Sequence, residues 1–405
     1  MLSNLNMRLL GGILLVAGTT TGAGMLALPV ITSFGGFVPS IIIFTVVWLL
    51  MLCSAFFFLD VNLSVRGEPN LISMAGKTLG VAGKVVSWVF YLLLLYSLLA
   101  AYIAASAPLF EKAILGLTGM KIPASISRFC LPVVFGSFIY LGTRGVDYVN
   151  RLLMIGLILS YVMLVAFVPS HIEVSLLSHF DISASVISIP VVLTAFGYHI
   201  IIPSLTTYLN HDKKLLKKAI VWGSVLPIVI YLIWQFLVLG VVPQAYLSQA
   251  WIQGVPASEP LSEILKNPII SKATLFFSFF AIVTSFLGVA LSLSDFLTDG
   301  LKIKKTWEGR LMAFGLTFFP PLVFVFTYQR GFYMALEYAG VIVAILLGIL
   351  PSVMAWRLKG HAFYTSLQGR ILLISVIVLC LGVVLLDFLE KKGALRELIS
   401  SYLTL

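Results

Sequence analysis

The sequence predicts an all-α polytopic membrane protein, and two observations carry that prediction. Of its 405 residues, 60% are hydrophobic and 10% charged, with a mean hydropathy of +1.08. Soluble domains carry about a quarter charged residues. Apolar runs also follow one another almost end to end, separated by short polar loops, and a spanning helix needs about 20 such residues.

Eleven spans are read in order, at 8–34, 37–64, 85–109, 128–142, 152–169, 185–208, 220–240, 273–297, 311–328, 332–355 and 371–388. The first begins at Arg8 and runs too long for a cleavable signal, so it is expected to stay in the mature protein. Cys53, Cys130 and Cys380 stand singly in different spans, as core thiols do, without a disulfide framework or metal spacing.

An odd span count puts the termini on opposite sides. With the N-terminus inside, the inner loops carry 17 of the 26 Lys and Arg residues: Arg8; Arg66, Lys77, Lys84; Arg144, Arg151; Lys213, Lys214, Lys217, Lys218; Lys302, Lys304, Lys305, Arg310; Arg357, Lys359, Arg370. That bias predicts a cytoplasmic N-terminus and an external C-terminus. The net charge of +10 is therefore a topology signal in loops, not the footprint of a nucleic-acid partner.

Span one reads GGILLVAGTTTGAGMLALPVITSFGG. Its middle sets Thr19, Thr20 and Thr21 between Gly18 and Gly22, followed by Ala23 and Gly24. Each glycine costs a helix about 1 kcal/mol relative to alanine. Unwound backbone inside a bilayer must line a protein-enclosed cavity. Span six is interrupted likewise by Ala195, Phe196, Gly197, Tyr198 and His199, with Pro203 following. The spans after each interruption correspond in order. Spans one to five (1–169) and six to ten (185–355) thus form two units of five, the second inverted because five is odd. Span eleven and its tail (371–405) lie outside the repeat. Paired broken helices at matching positions mark the binding site of a transporter.

The runs GTTTGAGMLALP in span one, AFGYHIIIPSL in span six and TSFLGVALSLSDFLTDG in span eight resemble the hydroxy/aromatic amino acid permease family, in particular its tyrosine- and tryptophan-specific type. The resemblance covers essentially the whole chain. It implies a five-plus-five inverted repeat of the leucine-transporter type, proton symport, a bacterial inner-membrane location and an amino acid substrate. The partners it implies are that small molecule and membrane lipid; an oligomeric state is not read.

A zwitterionic amino acid must have both ends desolvated. The half-helix starting near Gly24 offers free N–H groups and a positive dipole end for a carboxylate, and Gly22 and Gly24 let backbone come close. Carbonyls near Ala17 and Gly18, with those of Phe196 and Gly197, suit an ammonium. The substrate side chain is expected against Tyr96 and Tyr102 of span three, Phe196 and Tyr198 of span six, and Phe280 and Phe286 of span eight, since aromatic rings stack.

No cofactor is expected beyond a coupling ion, a proton or sodium. His199 is the most central titratable group and suits proton exchange, with a neutral, hydrogen-bonded role shaping the pocket as the alternative. Asp60 and Asp295 lie near inner ends, Glu337 and Asp387 near outer ends. Sodium would take carbonyls near Gly18 and Thr21 with the hydroxyls of Thr284 and Ser285, although such hydroxyls also bond their own helix. The competing readings are a carrier for serine or threonine and an integral-membrane enzyme. The loop histidines, His171, His179, His211 and His361, show no catalytic spacing.

Overall fold

The computed structural model describes residues 2–65, 67, 69–141, 143–304, 306–328, 330–358, 361–393, 400 and 402, with backbone alone for 2–5, 139–141 and 143–147. Arg66, Lys305, Lys359 and most of the tail after Gly393 lie outside the described residues. Every regular element among the described residues is helical. In order the helices are α1 (Leu2–Thr20), α2 (Leu28–Thr32), α3 (Phe37–Ser64), α4 (Leu71–Thr118), α5 (Ala124–Leu141), α6 (Thr143–Phe167), α7 (Ile182–Ser185), α8 (Ile189–Ala195), α9 (Ile202–Tyr208), α10 (Lys213–Leu239), α11 (Gln244–Gln253), α12 (Ser258–Leu265), α13 (Pro268–Gly300), α14 (Trp307–Thr327), α15 (Gly331–Val343), α16 (Leu350–Trp356), α17 (Ala362–Thr365) and α18 (Leu367–Lys391). Among the described residues, nine helical stretches are long and apolar enough to cross a membrane, and a shorter apolar helix covers Ala124–Phe138.

Several helices start well before the apolar run that predicted them. The reason is capping. Asp212 accepts hydrogen bonds from the Lys214 and Leu215 amides and starts α10 seven residues before the predicted 220. Asn267 does the same for α13, Thr306 for α14 and Ser366 for α18. A cap satisfies amides that have no helical partner, so it sets the end regardless of hydropathy. Asn70 starts α4 with a reciprocal capping box to Ser73. Gly80, at φ 75°, then kinks this helix before its membrane portion, a conformation that favours glycine.

Burial separates core from periphery. The most apolar window of 182–208 and that of 331–356 are 67% buried, against 28% for the windows in α6, α14 and α18. The most extensive pairings are α4 with α15, α6 with α13, and α1 with α10. The Gly340 position lets α15 press on α8: a Cβ there would lie 1.9 Å from the Pro190 carbonyl oxygen.

The inner helices are interrupted, and each interruption is answered by a donor from a neighbour. Between α15 and α16, residues 344–349 form a π-helical turn. Pro351 has no amide to offer the Leu347 carbonyl four residues back, and the Ser54 hydroxyl of α3 donates to that carbonyl instead. Gly348 leaves room for Cys380 of α18, whose Sγ a Cβ would meet at 2.3 Å.

Candidate functional site

Span one is broken between α1 and α2, and the break has a simple accounting. The Thr21 amide makes the last helical bond, to the Ala17 carbonyl at 2.8 Å. The Gly22 amide makes no backbone bond, and the Ala23 amide leaves the helix to donate to Ser285 Oγ of α13 at 2.9 Å. Gly22 is needed for that approach, since a Cβ there would lie 2.4 Å from the same oxygen. Residues Ala23–Leu26 then make a 3-10 turn before α2 resumes the direction. Span six is broken in the same way: α8 ends at Ala195, Phe196 to Tyr198 are non-helical, a 3-10 turn covers His199–Ile201, and α9 follows. Both resumed helices carry proline in their first turn, Pro29 and Pro203.

The two breaks meet in space. A Cβ on Gly24 would sit 3.9 Å from the Ala195 Cα, an ordinary contact. Tyr231 of α10, wholly buried, joins them: its hydroxyl lies 2.7 Å from the Thr20 carbonyl and 3.0 Å from the Ala195 carbonyl. Its single proton is shared between the exposed C-terminal ends of α1 and α8. One turn further, Trp234 Nε1 donates at 3.0 Å to the Met25 carbonyl. That is the carbonyl Pro29 leaves without a helical donor. Next to it, the Gln235 side-chain amide donates to Thr32 Oγ1 and, at 3.1 Å, to Ser40 Oγ. Tyr231, Trp234 and Gln235 occupy i, i+3 and i+4 and so share one helix face. The sequence reading missed all three. Their signal was polar-tipped side chains on one stripe of an otherwise aliphatic span.

The predicted site residues divide. Ala17, Gly18, Thr19, Thr20, Thr21, Gly22, Ala23 and Gly24 follow the first break, and Phe196 and Gly197 the second. Gly18 and Thr19 are exposed, and nothing lies within 4 Å of where a Gly18 Cβ would be. The Thr19 and Thr20 hydroxyls bond carbonyls of their own helix, whereas Thr21 Oγ1 is buried and without a hydrogen-bond partner. Tyr102 of α4 faces Ser285. Phe196 packs on Tyr231 at 5.4 Å between ring centroids.

Other predicted residues point elsewhere. The Tyr96 hydroxyl donates to the Leu316 carbonyl of α14 at 2.9 Å, and Phe286 stacks on Phe318 of α14 at 5.7 Å. Phe280 packs among Phe276, Phe279 and Gly156 of α6. Helical phase explains the split, since Phe286 points away from the face on which neighbouring Ser285 meets the break. Thr284 Oγ1 bonds the Phe280 and Ala281 carbonyls of its own helix.

His199 is wholly buried, stacked on Tyr198 at 5.2 Å and edge-on to Phe58 at 6.1 Å, with the Met51 backbone of α3 beside its ring. The buried Tyr198 hydroxyl lies beside the Ser224 hydroxyl, which donates to the Val221 carbonyl, accepts from Trp48 Nε1 and keeps one lone pair facing that tyrosine.

The helix ends around α2 are covered by neighbouring segments. The Ala257 amide donates to the Leu26 carbonyl at 3.0 Å, the Tyr333 hydroxyl to the Val255 carbonyl at 2.7 Å, and Arg330 lies 4.0 Å over the Trp251 ring. Lys112 of α4 pairs with Glu259 of α12. Gly288, Ser292 and Asp295 of α13 are exposed in a line that leads from Ser285.

The family model described as the tryptophan/tyrosine permease family matches residues 6–387. The chain belongs to that family. It is a permease-family member and not an enzyme. It is 32% identical to the tyrosine-specific transport system 1 of Haemophilus influenzae, over 95% of this chain and 98% of that one. It is 28% identical to a tryptophan-specific transport protein of Shigella flexneri, over 96% of each. The low affinity tryptophan permease of Escherichia coli is also 28% identical, over 92% of each. In fold, this family member resembles MhsT, solved with L-phenylalanine, at a TM-score of 0.59 and 14% identity, covering 94% of this chain and 98% of that one. It also resembles the manganese transporter of Eremococcus coleocola, at a TM-score of 0.56 and 14% identity, covering 97% and 92%.

The Tyr231 bridge makes a prediction. Tyr231→Phe keeps the ring and leaves the Thr20 and Ala195 carbonyls without a donor, at a cost of about 1–3 kcal/mol for unmet buried groups. Thermal unfolding in detergent should show a lower midpoint for Tyr231→Phe than for Tyr161→Phe, whose hydroxyl serves one peripheral carbonyl, that of Ile230. Equal midpoints would remove the bridge from the account.

Proposed function

We propose that this protein is a secondary active transporter importing aromatic amino acids, tyrosine or tryptophan, across the bacterial inner membrane in symport with protons. The observation that carries the reading is the meeting of two helix breaks. Together they offer the uncapped Gly22 amide and the carbonyls of α1 and α8, with Ser285 and Tyr102 alongside. Free backbone dipoles of both signs suit a zwitterion, and no fixed countercharge is needed. Tyr102, Phe196 and Tyr198 border the breaks and supply aromatic surface for the substrate ring. Labelled tyrosine uptake into proteoliposomes should be displaced by tryptophan and not by serine, and should rise with an acidic exterior without sodium. Displacement by serine would favour the hydroxy amino acid reading instead.

The reading includes eleven spans. The nine long stretches are joined by the broken span of α1 and α2 and by the short Ala124–Phe138 helix. It also includes the inverted repeat. Swapping spans one to five with six to ten exchanges the pairing of α4 with α15 for that of α13 with α6, and these are among the most extensive pairings. The loop Lys and Arg bias supports a cytoplasmic N-terminus, and in that orientation the covered ends around α2 and the exposed α13 line support an inward-facing state. Reporter fusions should place the Lys213–Lys218 segment in the cytoplasm and the segment after Asp387 outside; a cytoplasmic tail would overturn the odd count.

Proton coupling is assigned to His199. Its burial between Phe58 and Tyr198 means a proton reaches it only when the second break moves, which ties protonation to the gate. Thr284 and Ser285 are the sodium alternative: Thr284 donates to its own helix and Ser285 accepts the Ala23 amide, and both oxygens keep a lone pair for a cation. His199→Gln should lose pH-driven accumulation and keep exchange of labelled for unlabelled substrate. Accumulation with unchanged pH dependence would exclude the relay.

A further inference from the structure

A groove of about 370 Å³ opens between α3, α10, α17 and α18. Its wall on α3 is Cys53, Phe56, Phe57 and Asp60, one face at i, i+3, i+4 and i+7. Lys213 and Lys217, one turn apart, face it from the start of α10, and Leu372 of α18 closes its apolar end. One end is thus cationic and the other aromatic and aliphatic. This is the profile of a phospholipid, with a charged head and an apolar chain.

The charges within the groove are unequally occupied. Asp60 is neutralised in place, paired with Lys213 at 2.7 Å, 3.7 Å from His361 Nε2, and accepting the Tyr364 hydroxyl at 2.8 Å. Burial and the Asp60 carboxylate push the Tyr364 pKa up, so this hydroxyl remains a donor. His361 stacks on Tyr364 at 4.5 Å and holds α17 against this cluster. Lys217 is different. It is exposed, lies 5.8 Å over the Phe56 ring, and makes no ion pair among the described residues. Lys214 and Lys218 flank it, and the N-terminal turn of α10 adds the positive end of a 27-residue helix.

We propose that this groove is a binding site for an anionic phospholipid of the cytoplasmic leaflet, with Lys217 on the lipid phosphate and the acyl chain along Cys53, Phe56 and Leu372. Basic pockets between spanning helices at the cytoplasmic face take such headgroups. The leaflet rests on the orientation proposed above; the binding itself does not. A lipid seated there would bridge the inner ends of α3 and α10 to the α17 segment.

Native mass spectrometry of the purified full chain in detergent tests this, with phosphatidylglycerol and phosphatidylcholine of equal chain length as probes. Phosphatidylglycerol should be retained several-fold more than phosphatidylcholine. Lys217→Gln should abolish that preference, Lys217→Arg should restore it, and Lys304→Gln, in another basic loop, should leave it intact. Unchanged thermal midpoints would show that each variant remains folded. Equal retention of the two lipids, or equal losses for Lys217→Gln and Lys304→Gln, would overturn the site. A thermal shift from inorganic phosphate as large as that from phosphatidylglycerol would assign it to a free anion and also overturn it. Neither transport nor orientation enters the measurement, so the transport reading stands or falls separately.

Discussion

Carbonyls opened by a helix break inside a bilayer have no water to turn to, and the inner part of this protein is arranged around giving them donors. A lipid-facing break would leave each such group unpaired at a cost of several kcal/mol. Span one loses helical bonding beyond Thr21, and Pro29 removes one more donor. A single face of α10 answers both losses, through Tyr231 and Trp234, while Gln235 anchors the Thr32 and Ser40 hydroxyls. The same hydroxyl of Tyr231 reaches Ala195, so the splint that supports one break also sets its distance from the other. The kink in span ten repeats the device, with Ser54 standing in for the amide that Pro351 lacks.

This arrangement explains how a site can be polar without charge. Groups that are paired by the splint hold the half-helices in place, while the Gly22 amide has no backbone partner and Thr21 Oγ1 no partner among the described residues. Small residues sit where backbone meets a neighbour: Gly22 against Ser285, Gly340 against Pro190, Gly348 against Cys380. Close packing of this kind is how helices associate in lipid, where hydrophobicity gives no net drive. Charged groups collect instead at the two ends, as in the Asp60 and Glu259 pairs. The fold does not choose a substrate. Two of its solved neighbours are a protein holding phenylalanine and a manganese transporter, so one fold serves cargoes of quite different chemistry.

Much of the architecture was legible in the sequence. The GTTTGAG and AFGYH runs placed both breaks, because glycine and β-branched residues weaken a helix locally and the bilayer forbids that weakness except at a cavity. Helix starts were less legible, since Asp212, Asn267 and Ser366 cap helices upstream of any hydropathy signal. The aromatic wall was legible only in part. Tyr102, Phe196 and Tyr198 lie near the breaks, whereas Tyr96 and Phe286 turn to α14. Composition marks a ring as available, but a helix of 3.6 residues per turn decides which way it faces.

By itself the sequence determined the solvent this chain lives in, the positions where its helices must break, and the family to which it belongs. These follow from local chemistry: runs of apolar residues, glycines flanking threonines, and the motifs around them. Only the tertiary structure decided which groups complete the breaks. Tyr231 and Ser285 lie far along the chain from Thr20 and Ala23, and their own segments mark them as polar positions without fixing which backbone group each one meets. Pairing across such distances depends on how α10 and α13 pack against span one, which is a property of the whole bundle and not of any one stretch of residues.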